Sequence, residues 1–205
     1  MKATTHLIAL AAVFTAFLAG CSTTSTRFYT LASPTAATAA PAGAAPYWIE
    51  VAPLAVPERL ARPQMVVRSA AANVQVDVLE DSRWASSFES ELRDALSSGI
   101  AGHLGALDGT RGGRPATAPV MRIAVQVRRF DAVDGSGVEA SLGWSARRGE
   151  QGRVLVCQTE LREPASGPGI QAVAQSAQRL TANASAAIAR GVAALQSNPD
   201  AVCPV

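Results

Sequence analysis

The segment that most constrains this chain is an apolar stretch close to its first residue. Residues 7–19 are thirteen consecutive uncharged residues, and they follow a short polar stretch that begins Met-Lys. This length suits the hydrophobic region of a secretory signal peptide and is well short of the ~20 apolar residues that span a bilayer. We therefore predict that residues 1–20 are a signal peptide and that the mature chain starts at Cys21.

The end of this stretch indicates how the mature chain is held in its compartment. Leu18-Ala19-Gly20-Cys21 resembles the lipobox of bacterial lipoproteins, in which small residues precede the cleavage site and the cysteine thiol receives diacylglycerol. Three acyl chains on Cys21 would exceed the two signals that stable anchoring requires. Ser22, rather than aspartate, resembles the sorting signal for the outer membrane. We expect this lipid and no cofactor; the alternative is an ordinary secretory peptide with an incidental cysteine.

The remaining cysteines are even in number. With Cys21 lipidated, Cys157 and Cys203 remain, and an oxidising periplasm favours a disulfide between them. The alternative is two unpaired thiols. A zinc site made of these two and His103 is less favoured, because no C-x-x-C spacing exists, and we predict no metal.

The predicted mature chain contains few of the side chains that commonly serve in catalysis. Lysine occurs only at Lys2, so the mature chain has no lysine, and His103 is its single histidine. Phosphate-binding, dinucleotide-binding and nucleophile-elbow motifs are absent from the sequence, and no carboxylate pair stands out as a general acid and base. A net charge of +2 without a basic stripe does not indicate nucleic acid. We predict a protein that is not an enzyme.

The composition divides the mature chain in two. Residues 21–46 are rich in Ser, Thr, Ala and Pro, which predicts a lipidated N-terminus and a flexible linker of about 25 residues, spanning about 25–30 Å. Phe28-Tyr29-Thr30-Leu31 interrupts it as either a short strand or a docking peptide. Residues 47–205 are predicted to form one globular domain.

Apolar spacing predicts the elements of that domain. Short strands are expected at 47–51 and 65–68, and Val74, Val76 and Val78 indicate a half-buried strand. A helix capped by Asp81 or Ser82 is expected to run to Leu104, with Trp84 in its apolar stripe. A flexible loop (109–119), a three-stranded antiparallel meander (121–161) and a helix (170–196) follow. The predicted class is α/β (α+β), a mixed and largely antiparallel sheet with two long helices packed on one face.

Residues 51–68 carry a family resemblance. VAPLAVPERLARPQMVVR is similar to the V-x-P-V-x-(V/I)-P-x-Y-L-D-R-P-Q-(I/M)-V-x-R segment of the ABC-type transport auxiliary lipoproteins, the PqiC (YmbA) family. Arg59 and Ala61 stand where that family has tyrosine and aspartate. Asp81 to Ala85 and the Tyr29-Thr30-Leu31 triplet also fit, so the resemblance covers essentially residues 21–196. The matching residues taken forward as candidates are Pro57, Leu60, Arg62, Pro63, Gln64, Arg68 and Trp84.

The resemblance implies a function without catalysis. It implies a periplasm-facing, outer-membrane lipoprotein that serves an MCE-type (mammalian cell entry) transport system for lipid or another hydrophobic solute. Its partners would be an MCE-domain protein with an inner-membrane permease and ATPase, and the lipoprotein itself would be a homo-oligomer. Two alternatives are a structural envelope lipoprotein that assists assembly of an outer-membrane complex and, more distantly, a secreted hydrolase.

The motif residues allow two roles. Pro57 and Pro63 exclude a regular strand throughout the segment, so it is expected at an edge or in a crossing loop. Arg62, Gln64 and Arg68 would then satisfy backbone carbonyls and fix that crossing, which is the favoured interpretation. The alternative is direct partner binding, in which charge reversal at Arg62 or Arg68 would weaken the complex. Trp84 is expected in the core.

Overall fold

The computed structural model describes residues 25–33, 47–72 and 74–204. The predicted signal peptide and Cys21 lie outside these ranges. Within them, the strands are β1 (Arg27–Tyr29), β2 (Trp48–Val51), β3 (Gln64–Val67), β4 (Asp77–Trp84), β5 (Leu107–Asp108), β6 (Val120–Val133), β7 (Gly137–Arg148) and β8 (Val154–Pro164). The helices are α1 (Phe88–Leu104) and α2 (Ile170–Ser197), with a 3-10 turn at Glu58–Leu60.

The larger sheet has five strands in the order β5-β2-β6-β7-β8. The last three form the expected antiparallel meander, and β2 lies parallel to both β5 and β6. Apolar residues alternate along β6 because one face of the sheet is covered and the other is open: Ile123, Val125 and Val127 are buried, whereas Ala124 and Gln126 are exposed. The predicted fold class is confirmed.

Both helices cover the same face of the larger sheet. In α1, Leu92, Leu96 and Ile100 recur at four-residue spacing and are buried. In α2, the small side chains permit close approach, and a Cβ placed on Gly191 would lie 2.3 Å from Cη2 of the buried Trp144. A Cβ placed on Gly99 of α1 would lie 2.6 Å from Oγ of Ser185 in α2. The helix–helix and helix–sheet contacts therefore depend on glycine at these two positions.

The smaller sheet has three strands in the order β1-β4-β3, and its strand β4 corrects the predicted start of α1. The helix was expected from Asp81 or Ser82, but residues 77–84 form β4 and the helix begins at Phe88. Ser87 is the N-cap, and its Oγ accepts a hydrogen bond from Ser90 N at 3.2 Å. A four-residue interval fits both a helical stripe and strand alternation, so the spacing from Trp84 to Phe88 did not distinguish them.

The apolar alternation of Val74, Val76 and Val78 was also misread. Val78 is 39% exposed and the two preceding valines are more exposed still, while Leu79 packs against the core. Pairing between β3 and β4 shifts register: Gln64 lies opposite Arg83, whereas Met65 lies opposite Leu79. This irregularity exchanges the core-facing and outward-facing positions along β4, so alternation at one end of the strand does not predict the other.

Residues 27–31 are part of the fold, although they lie within the stretch predicted as a linker. Strand β1 adds to β4 in parallel, with Phe28 opposite Arg83 and Tyr29 opposite Trp84. Leu31 is buried at 1% exposure, and its backbone N–H donates to Glu91 Oε2 at 3.0 Å. Of the two alternatives for this segment, the structure has the short strand. The linker ahead of the domain is therefore much shorter than expected.

Candidate functional site

The motif segment joins the two sheets to the start of α1. Pro57 O accepts a hydrogen bond from Leu60 N at 2.8 Å, and the Leu60 side chain is buried. Pro63 O accepts from Trp84 N at 2.7 Å, and the carbonyl of the half-buried Arg62 accepts from Phe88 N at 3.4 Å. The backbone of this segment thus holds the end of β4 and the first turn of α1.

The side chains of the motif also contact this protein itself. Arg68 Nη2 lies 2.7 Å from Asp131 Oδ2, and Arg59, which replaces the family's tyrosine, reaches Asp131 Oδ1 at 3.2 Å. The Arg68 backbone bonds Ala132 O and Asp134 N of the larger sheet's strand end and following turn. These contacts link the smaller sheet to the larger one.

Gln64 and Trp84 have internal partners as well. Gln64 Nε2 donates to Glu80 Oε2 at 3.3 Å across β3 and β4. The Trp84 ring is buried, with its centroid 5.9 Å from that of Phe88, which in turn packs on Phe130 at 4.8 Å. The hydrogen bonds and ion pairs of the motif are those expected of a segment that crosses between two sheets. The side-chain partners of Gln64 and Arg68 named above are, however, carboxylates and not the expected backbone carbonyls.

Cys157 and Cys203 are joined by a disulfide, with Cα atoms 5.6 Å apart. Cys157 lies in β8, the edge strand of the larger sheet, and Cys203 lies in the tail after α2. Asp200 of the tail also forms an exposed ion pair with Arg153, the residue immediately before β8. The tail consequently lies along the first half of the β8 edge.

A cavity of about 690 Å³ opens on the uncovered face of the larger sheet, near the end of β2. Its walls come from β2, from Arg93 of α1, from the loop after β5, and from the adjoining parts of β6, β7 and β8. The charged residues that line it are Glu50, Arg93, Arg111, Arg122 and Arg147. Four arginines and one carboxylate give this cavity a positive lining.

The arginines differ in how far their charge is balanced. Arg122 Nε lies 3.6 Å from Glu50, and Arg93 donates to the carbonyl of Val51 at 2.7 Å and 2.9 Å. Asp94 raises the pKa of the Arg111 guanidinium by its hydrogen bond and its charge. The Arg147 side chain has no hydrogen bond or ion pair with any residue that the structure describes. Its charge is available to an anionic group entering the cavity.

The loop beside this cavity was predicted only as flexible, and its internal bonds were missed. Arg114 Nη1 donates to the carbonyls of Pro115, Ala116 and Ala118 at 3.0–3.3 Å, while its Nε lies 2.9 Å from Glu50. One side chain therefore shapes the loop and ties it to β2. The Arg-Gly-Gly-Arg sequence at 111–114 was the available signal, because glycines between arginines allow such a fold-back.

Residues 25–33, 47–72 and 74–204 contain no group of three or more His, Cys, Asp or Glu side chains arranged to hold a metal ion. His103 is exposed in the last turn of α1. Neither helix in these ranges is both long and apolar enough to cross a membrane.

Comparisons with known proteins agree with the resemblance in residues 51–68. The family model for the ABC-type transport auxiliary lipoprotein component matches residues 29–189. A crystal structure of an uncharacterized protein is 22% identical, with a TM-score of 0.63, and the match covers 81% of this chain and 97% of that one. Protein XCC0632 from Xanthomonas campestris, of family DUF330, is 17% identical with a TM-score of 0.58, over 79% and 92% of the two chains. No curated protein matches.

Proposed function

Because the chain belongs to the family of ABC-type transport auxiliary lipoprotein components, we propose that it docks a periplasm-spanning MCE-domain protein at the outer membrane. The transported solute would be a lipid or another hydrophobic molecule. Energy would come from the inner-membrane permease and ATPase. The lipoprotein would act without catalysis, held by a lipid on Cys21 at the periplasmic face.

The observation that carries this proposal is the family match over residues 29–189. The arrangement of the motif residues bears on where the partner docks. Arg68 is engaged with Asp131, so a partner that used Arg68 would first have to break an ion pair within the domain. The arginine-lined cavity has no such obstacle, since Arg147 is already without a side-chain partner among the described residues. We therefore assign docking of an acidic partner segment to the cavity and not to the motif.

The test is a charge reversal with a neighbouring control. Arg147 lines the cavity, whereas Arg148 follows it in β7 and lies beside Tyr47 and Gln196 on the other face. Arg147→Glu should abolish in vivo crosslinking to a co-expressed MCE-domain protein, and Arg148→Glu should leave it intact. Equal loss in both variants would indicate a general charge effect and would refute the cavity as the docking site.

The transport role is tested separately from the docking site. The tagged lipoprotein should self-associate in detergent and co-purify with the MCE protein. A monomer that crosslinks only to outer-membrane assembly factors would replace the transport role with a structural role in envelope assembly. Cys21→Ala should end incorporation of labelled palmitate, and undiminished labelling would refute the anchor.

A further inference from the structure

The smaller sheet leaves large apolar side chains in solvent on its outer side. Phe28 in β1 is 66% exposed and Val78 in β4 is 39% exposed. Val74 and Val76, in the residues that lead into β4, are 100% and 42% exposed. A phenylalanine and three valines in one small sheet and its approach are more exposed apolar groups than a surface element needs, and such groups mark contact sites.

Strand register shows that Phe28 and Val78 share the outer face. Phe28 lies opposite Arg83, while the next pair, Tyr29 and Trp84, faces the core. Val78 lies opposite the half-buried Val66, which itself contacts the core, while the adjoining Met65 is buried and Leu79 packs against the core. Arg83 and Val78 lie opposite Gln64 and Val66, which are two residues apart on β3, so this part of the face extends about 7 Å along that strand at ~3.3 Å per residue.

The predicted anchor is close to this face. Six residue steps separate Cys21 from Arg27, the first residue of β1. Whatever their conformation, six residues span at most about 22 Å. A domain of roughly 160 residues has a radius of gyration of about 15 Å and hence a diameter near 40 Å. A lipid on Cys21 therefore holds β1 on the side of the domain that is nearest the bilayer.

We propose that the outer face of the smaller sheet, which carries Phe28 and Val78, together with the exposed Val74 and Val76 just ahead of β4, rests on the lipid surface in which Cys21 is anchored. This inference rests on the proposed lipid anchor. The contact is apolar and not electrostatic, because Arg83, the cation opposite Phe28, is paired with Glu80 at 2.9 Å. Such a face has little affinity for membrane by itself, and it acts because the anchor keeps it there.

The same placement orients the rest of the domain. Arg68, just after β3, bridges to Val133 at one end of β6, whereas the arginine-lined cavity includes Ile123 near the other end. Ten residues of strand separate them, which is about 33 Å. With the smaller sheet on the bilayer, the cavity opens toward the periplasm.

Site-specific photocrosslinking of the full-length lipoprotein tests this contact. Benzoylphenylalanine replaces Phe28 or Val76 in one set of proteins and Gln151, an exposed residue in the turn between β7 and β8, in the control. The proteins are reconstituted in vesicles of phosphatidylethanolamine and phosphatidylglycerol and irradiated. We expect lipid adducts, detected by intact mass, at positions 28 and 76 and none at 151.

Other outcomes overturn the inference. A crosslink from position 28 or 76 to a second copy would assign the face to self-association, and absence of any adduct at both positions would show that it faces solvent. Failure of the anchor is separable, because intact mass reports acylation of Cys21 directly. If acylation is absent, the mature chain coupled through the Cys21 thiol to a maleimide lipid gives the same crosslinking readout.

Discussion

Glycine at position 191 is required by the ring it touches. A Cβ there would lie 2.3 Å from Cη2, 3.2 Å from Cζ2 and 3.3 Å from Cζ3 of Trp144, which is 3% exposed and donates from Nε1 to Thr159 at 3.0 Å. Gly191→Ala gains about 1 kcal/mol of helix propensity. Overpacking a filled core costs about 1–3 kcal/mol, and a contact at 2.3 Å belongs at or above the upper end.

We therefore expect Gly191→Ala to lower the free energy of unfolding by about 2 kcal/mol, which is a fall in Tm of about 4–8 °C for a domain of this size. Urea titration followed by circular dichroism measures the free energy. Gly167→Ala is the control, because a Cβ on Gly167 meets no atom within 4 Å. Surface substitutions of that kind stay within about 0.5 kcal/mol.

A Trp144→Phe variant separates the steric effect of Gly191→Ala from its effect on helix propensity. A phenylalanine ring ends short of the three indole carbons that crowd Gly191, so Trp144→Phe removes the clash and leaves the helix propensity. In that background Gly191→Ala should be neutral or stabilising by up to about 1 kcal/mol. If Gly191→Ala destabilises both backgrounds equally, the crowding between α2 and β7 is not the cause.

Three further predictions concern the disulfide, a perturbed carboxyl and the bond between the sheets. Cys203→Ser opens a loop of 46 residues and should lower the free energy of unfolding by up to about 4 kcal/mol; a wild-type urea midpoint that reductant does not move would contradict this. Ser141→Ala removes the 2.6 Å hydrogen bond that most lowers the pKa of Glu160, so that pKa should rise toward its ordinary value in an NMR titration, and an unshifted titration would refute the bond. Because the folded state has the lower pKa, this bond stabilises the protein at neutral pH, and the stabilisation is lost as pH falls through the folded pKa. Arg68→Ala leaves Asp131, 19% exposed, with one cation and should cost about 1–3 kcal/mol in the same urea titration; a cost below 0.5 kcal/mol would mean that the pair does not hold the sheets together.

The sequence was sufficient to predict those helices and strands whose apolar residues recur with a single period over many residues. The meander follows from alternation over β6 together with the turn residues after it, and α2 follows from a repeat of buried apolar positions over 28 residues. These patterns are unambiguous because neither the strand period nor the helix period can be mistaken for the other over that length. The fold class depended on them and was predicted correctly.

The smaller sheet was predicted in part: a strand was expected at 65–68 and another around Val78, and a short strand was one of two alternatives for residues 28–31, but their pairing was not predicted. The register shift at Gln64 and Met65 changes which face of β4 meets the core, and no local sequence pattern predicts this irregularity. The parallel pairing of β1 with β4 joins residues 55 positions apart, such as Arg27 and Ser82, so the local sequence could not decide between a strand and a docking peptide. Tertiary contact, and not propensity, makes both of them strands.

The candidate docking site was missed for a related reason. Residues 57–68 were chosen as candidates because they form a recognisable sequence motif. The structure shows that the motif residues form the crossing segment between the two sheets. Arg147 had no signal of its own, since alternate positions of a strand with an open face are expected to be polar. Its significance comes from the walls around it, which five other segments of the chain contribute.

Strand β1 also sets the length of the segment that would join a lipid on Cys21 to the folded domain. Counted from Cys21 to Arg27, this segment has six residue steps and a contour length of at most about 22 Å. Counted from Cys21 to Trp48, where β2 begins, it would have 27 residue steps and a contour length of about 90 Å or more. Three residues of parallel pairing, together with the burial of Leu31, thus set how far the domain could move from a membrane in which Cys21 was anchored.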